Sequence, residues 1–144
     1  MKKLLFIAML VVFSMASYSQ NSAIDEGIHF MCKGDSILSY LKDKADSTRV
    51  GTDDLTFYHG TFMEIPNGRA VVLTDENAVD CIGILWNWNE QTAEKVNELV
   101  KTLQQRRPKD RKFFPVAKKV VYDDRVCVEL DFKKIRAPKR TWKF

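Results

Sequence analysis

The chain has 144 residues and a mass of 16.7 kDa; it is 45% hydrophobic, 29% charged and 11% aromatic, which excludes a disordered or low-complexity polypeptide. Its length accommodates one ordinary domain, and the absence of an internal repeat excludes solenoids and propellers. The net charge of +4 is unevenly divided: residues 21–100 carry 6 basic and 14 acidic side chains, whereas residues 101–144 carry 15 basic and 5 acidic. Such a division fits two halves that complement each other on folding, or a basic surface for a polyanion.

At the N-terminus, Lys2 and Lys3 precede an apolar run of 13 residues, 4–16. A membrane-spanning helix needs roughly 20. Ala16, Ser17 and Ser19 supply the small side chains that a signal peptidase requires. The pattern is that of a secretory signal peptide over residues 1–20, cleaved after Ser19 or Gln20. The region holds no cysteine, so lipid attachment is not expected. No second run approaches about 18 apolar residues, so no transmembrane span is expected after cleavage. The expected organisation is a signal peptide (1–20), one domain (21–132) and a basic C-terminal tail (133–144). A mature chain of about 124 residues buries roughly two thirds of its unfolded surface, enough for a core without disulfide or metal.

In chain order, Ile28, Phe30 and Met31 suggest a short strand over 28–32, ended by Lys33 and Gly34. Asp35 is a candidate N-cap for a helix over 36–45, with Ile37, Leu38 and Leu41 on one face. Residues 47–54 are polar and contain Gly51, a loop. Residues 55–65 are rich in aromatics and threonine, a strand. Pro66, Asn67 and Gly68 read as the turn of a hairpin returning over 69–74. The near-continuous apolar run 78–86 predicts a strand buried on both faces. Asn89 is a candidate cap for a helix over 90–106, whose stripe is Ala93, Val96, Leu99, Val100 and Leu103. Pro108 prevents its continuation. After a basic connector, strands over 118–122 and 125–132 form a hairpin around Asp123 and Asp124. The resulting order, β-α-β-β-β-α-β-β, predicts an α+β fold: a mostly antiparallel sheet with two helices packed on one face.

The chemistry-bearing residues are few. The two histidines, His29 and His59, fall in predicted strands. Spacings of 49 and 46 residues between Cys32, Cys81 and Cys127 fit no zinc motif, and an odd count leaves at least one thiol outside any intrachain disulfide. The chain contains no G-x-S-x-G elbow, P-loop or dinucleotide fingerprint, and no cofactor or metal is expected. Paired carboxylates at Asp53–Asp54, Asp75–Glu76 and Asp123–Asp124 fall in predicted turns, where solubility explains them. Trp86 and Trp88, alternating with Asn87 and Asn89, form either a ligand-stacking platform, with His59 a further candidate contact, or an anchor of helix to sheet. Gly60, beside His59, permits a bulge or close ligand approach. Arg106, Arg107, Lys109, Arg111 and Lys112 are candidate polyanion contacts.

These features favour an exported, non-enzymatic binding module of the periplasm or cell envelope, or outside the cell. Its expected partner is a protein or envelope component, because export removes the chain from nucleic acid. A small hydrolase using a cysteine or histidine and a polyanion-binding protein are the alternatives.

Overall fold

A computed structural model describes residues 22–136, apart from residues 53 and 77, with residues 34 and 35 described through their backbone only. The expected signal peptide and residues 137–144 of the tail lie outside this range. Among the described residues the architecture is α+β, with three helices rather than two and one antiparallel sheet of six strands. Helices α1 (22–32), α2 (Gly34–Lys44) and α3 (Glu90–Gln105) accompany strands β1 (Ala45–Val50), β2 (Leu55–Phe62), β3 (Ile65–Asp75), β4 (Ala78–Asn87), β5 (Phe113–Tyr122) and β6 (Arg125–Lys134). The spatial order is β1-β2-β3-β4-β6-β5. No helix among the described residues is long and apolar enough to cross a membrane.

The segment expected as a strand at 28–32 is the second half of α1. Ala23, Gly27, Phe30 and Met31 are buried, a spacing of helical period that begins before residue 28. The apolar run alone has no period, so it reads equally as a strand. Gly27 sits against α3 so closely that a Cβ there would lie 2.7 Å from the Leu103 methyl carbons. Lys33, at φ −133° and ψ 86°, breaks α1 from α2. The second helix starts at Gly34, so Asp35 lies within its first turn and is not its N-cap.

The polar segment expected as a loop over 47–54 contributes the edge strand β1, which pairs with β2. All but its first residue are exposed, so it carries no apolar alternation to betray it. The other edge, β5, starts at Phe113 and contains Pro115. Proline is tolerated there because an edge strand leaves one row of amides without a ladder partner.

Pro66, Asn67 and Gly68 do not reverse the chain. The reversal is at Met63 and Glu64, whose φ values of 53° and 63° are both left-handed, as a two-residue hairpin turn between Phe62 and Ile65 requires. Asn67 is left-handed too (φ 60°), but it lies within β3, where the register with β2 shifts between Gly60 and Phe62. Two successive left-handed residues make the turn, whereas a single one makes a bulge. Asp123 and Asp124 form the second such turn, at φ 52° and 59°.

One contiguous core joins the three helices to one face of the sheet. Phe30, Ile37 and Leu103 pack in it with Tyr58, Val72, Ile84, Trp86 and Leu130. The Phe30 ring stacks on Phe132 and meets Tyr40 edge-on, both at 5.3 Å between centroids. The third helix follows its expected stripe, with Ala93, Val96, Val100 and Leu103 buried, and the Asn89 side chain accepts the Thr92 amide at 2.7 Å. Strand β4 is buried on both faces over residues 82–86.

Two glycines fix the sheet's geometry at its core face. A Cβ at Gly60 would lie 2.5 Å from the Lys44 carbonyl oxygen, where α2 passes into β1. A Cβ at Gly68 would lie 2.8 Å from Trp86 Nε1. Replacing Gly60 with Ala should destabilise the fold by about 1–3 kcal/mol, because the obstruction is backbone. Replacing Asp124 with Gly should stabilise it by about 0.5–1 kcal/mol, relief of the left-handed penalty being partly offset by a more flexible unfolded chain. Chemical denaturation of the two variants checks both signs.

Candidate functional site

Residues paired across an antiparallel ladder share a face. The face opposite the helices therefore carries rows that can be read from the register. One row runs Ser47, His59, Arg69, Leu85, Glu129, Lys118. Another runs Arg49, Phe57, Val71, Gly83, Asp131, Val116. No helix among the described residues covers this face. Its apolar members are sheltered by long charged side chains: the Arg49 guanidinium lies 4.8 Å from the Phe57 ring centre, and Phe57 is only 8% exposed.

A cavity of about 410 Å3 opens at one end of this face. It spans the sheet from Asp46 on β1, through His59 and Arg69, to Asn87, Cys127 and the β5–β6 turn with Tyr122 and Arg125. Ladder irregularities shape its wall. The β1–β2 register shifts between Ala45 and Ser47, around Asp46, and the β2–β3 register shifts between Gly60 and Phe62, opposite Pro66 and Asn67. All three of these flanking residues, Asp46, Pro66 and Asn67, line the cavity. Bulges of this kind bend a strand and re-aim its side chains. The Arg69 guanidinium crosses the face to sit 5.7 Å from the Tyr122 ring centre.

Of the residues expected from sequence, His59 and Asn87 line this cavity as exposed residues. Trp86 contributes to its wall, but its indole belongs to the core: it is 2% exposed and Nε1 donates to the Ile65 carbonyl at 3.2 Å. Trp88 stands apart from it, with the Lys119 ammonium 4.4 Å from its ring centre. The two tryptophans thus form no common platform. The basic residues 106–112 link α3 to β5. Arg107 Nε donates to the Gln104 carbonyl at 2.9 Å and Arg111 lies over Phe114, while Arg106, Lys109 and Lys112 are exposed. Of the ion pairs among the described residues, Lys134–Asp80 at 3.3 Å joins the basic part of the chain to the acidic part.

The three cysteines are free. Cys127 lies on the sheet face opposite the helices, yet it is buried. Cys81 lies six residues from Asn87, the β4 partner of Cys127, a separation of about 20 Å along the strand. The Cys32 thiol donates to Asp110 Oδ1 at 3.4 Å; burial first, and then that carboxylate, push its pKa up. The Cys81 thiol is likewise pushed up, first by partial burial of the sulfur and then by the charge of Asp131, although the residue is exposed at the sheet surface. Neither is an activated thiolate. His59 and Cys127 both line the cavity, but three inter-strand spacings of about 4.8 Å, some 14 Å, separate their strands.

Sequence reasoning missed Asp46, Arg69, Tyr122 and Arg125. They converge only because β6 pairs with β4 across the intervening helix, and nothing local to any of them signals that pairing. Comparison with family models, with curated proteins and with solved structures finds no match.

Beside the cavity, Glu129 lies over Gly83, where a Cβ would approach its Oε1 to 2.9 Å. Burial, and then the Asp131 charge, raise the Glu129 carboxyl above its ordinary value, while Lys118 opposes the shift. Lys118 itself is held by Asp131 at 2.9 Å. A carboxyl raised on folding binds its proton more tightly in the native state, so stability falls as pH rises through the window above the ordinary glutamate value of 4.5. Glu129→Gln should remove that component, flattening the stability profile above pH 4.5. Denaturation midpoints measured across this range check the slope.

Proposed function

We propose that this chain is an exported, non-enzymatic binding module of the periplasm or cell envelope that holds a small ligand in the cavity on its open sheet face. The observation that carries this reading is the cavity itself. Its volume of about 410 Å3 falls within the range of small-molecule sites, ~300–1,000 Å3. Polar and charged side chains from all six strands converge on it, while the helices pack on the other face. Export rests on the basic and apolar pattern of residues 1–20.

Binding is favoured over catalysis by the placement of the reactive groups. A cysteine hydrolase needs a thiol lowered by a neighbouring base. Here the Cys32 and Cys81 thiols are raised, and the Cys127 sulfur points to the Arg125 carbonyl at 3.8 Å, on a strand distant from His59.

Native mass spectrometry of the protein recovered from its host envelope tests the reading. The expected mass lacks about 20 N-terminal residues and carries a small-molecule adduct. Asn87→Trp, at the cavity's exposed rim, should abolish the adduct and leave the thermal midpoint within a few degrees. A bare polypeptide, or an adduct that persists in Asn87→Trp, counts against it. Substrate turnover lost on replacing His59 or Cys127 would return the protein to the hydrolase class.

A further inference from the structure

The charges within the cavity narrow the ligand further, an inference that rests on the binding reading above. Two guanidinium groups, Arg69 from β3 and Arg125 from the start of β6, line it together. The ion pairs among the described residues are Lys118–Asp131 and Lys134–Asp80, so neither arginine is neutralised by a carboxylate there. Arg69 lies over the Tyr122 ring, which restrains its long side chain without cancelling its charge. Arg125 is the register partner of Tyr122 across the hairpin turn, so both arginines converge on the β5–β6 end of the cavity. Around them stand neutral hydrogen-bonding side chains, Asn87 and the Tyr122 hydroxyl, and the apolar flank of Leu85.

The one carboxylate in the lining, Asp46, belongs to β1, at the opposite edge of the sheet from the β5–β6 turn. The cavity is therefore polarised along the strand order. Arg125 and the guanidinium that Arg69 extends to Tyr122 lie toward one end, and one anion lies at the other.

We propose that the cavity binds a small organic anion: a compact molecule whose single carboxylate or phosphate is held by Arg69 and Arg125. Its hydroxyl or amino groups extend toward Asp46, which accepts hydrogen bonds and repels a second anionic group. Guanidinium groups suit this task because their planar fork of donors matches both oxyanion geometries. The neutral body rests on Leu85 and the Tyr122 ring.

A matched set of probes tests the class: glucose 6-phosphate, glucuronate and glucose share a ring and differ in the anionic group. Each is titrated into the isotope-labelled protein, recovered after export and freed of any adduct, and backbone amide shifts are followed by NMR. The expected result is saturable shifts at Gly68, Asn87 and Cys127 with one or both anions and none with glucose. A response to the phosphate alone or the carboxylate alone identifies the source of the anionic group. Arg69→Gln and Arg125→Gln should each weaken binding at least tenfold, and Arg69→Lys should recover part of it. The dispersion of the same spectra reports whether each variant is folded. Equal binding of glucose, or folded Gln variants that titrate like the parent, would overturn the anion class while leaving the cavity as a binding site. If none of the three perturbs the cavity, the proposal falls. The native-mass adduct, which does not depend on ligand charge, then decides the binding reading separately.

Discussion

The seating of Trp86 governs the sheet. Its indole occupies the space that Gly68 leaves free, with Nε1 donating to the Ile65 carbonyl. Gly60 is equally required, because the Lys44 carbonyl lies where its side chain would be. A row of the β2–β3 ladder thus presents backbone and no side chain to the core. A large aromatic ring and a chain crossing take its place. Immediately beyond this row both neighbouring registers shift, at Asp46 and between Gly60 and Phe62. The irregularity that shapes the cavity on one face adjoins the packing on the other.

Among the described residues the helices cover only one face of the six-stranded sheet, and the second face is left to its own side chains. Several of these are apolar along their stems and charged at their ends. Arg49 lies over Phe57, Arg69 over Tyr122, and Lys118 reaches Asp131. These contacts are individually weak near solvent. On this face Phe57 and Leu85 are nearly out of water. Function and stability share these residues, since Arg69 both shelters the face and lines the cavity.

Much of this was legible in the sequence, for identifiable reasons. The third helix announces itself through its stripe and the Asn89 cap, and β4 through a run of apolar residues that needs burial on both sides. The sequence pattern fails where period or polarity is missing. The first helix hides half its period ahead of residue 28, and β1 has no buried face at all. The Pro66–Gly68 signal is genuine, since Asn67 is left-handed, but a left-handed residue does not by itself say whether the chain turns or bulges. His59 could be singled out because histidine is rare in this chain. Arg69 and Arg125 could not, because their proximity depends on strands brought together from distant parts of it.

The strand order also bears on how the sheet assembles. Four of its five ladders, β1–β2, β2–β3, β3–β4 and β5–β6, join strands that are neighbours in sequence, so each can close through a short loop. Only β4–β6 is long-range, pairing Ile82 with Phe132 about 50 residues away. Closing that gap costs more chain entropy than closing any of the hairpins. The ladder with the greatest closure cost is the same one that carries Arg125 and Tyr122 to Arg69. The cavity therefore depends on the one pairing that no local turn can template.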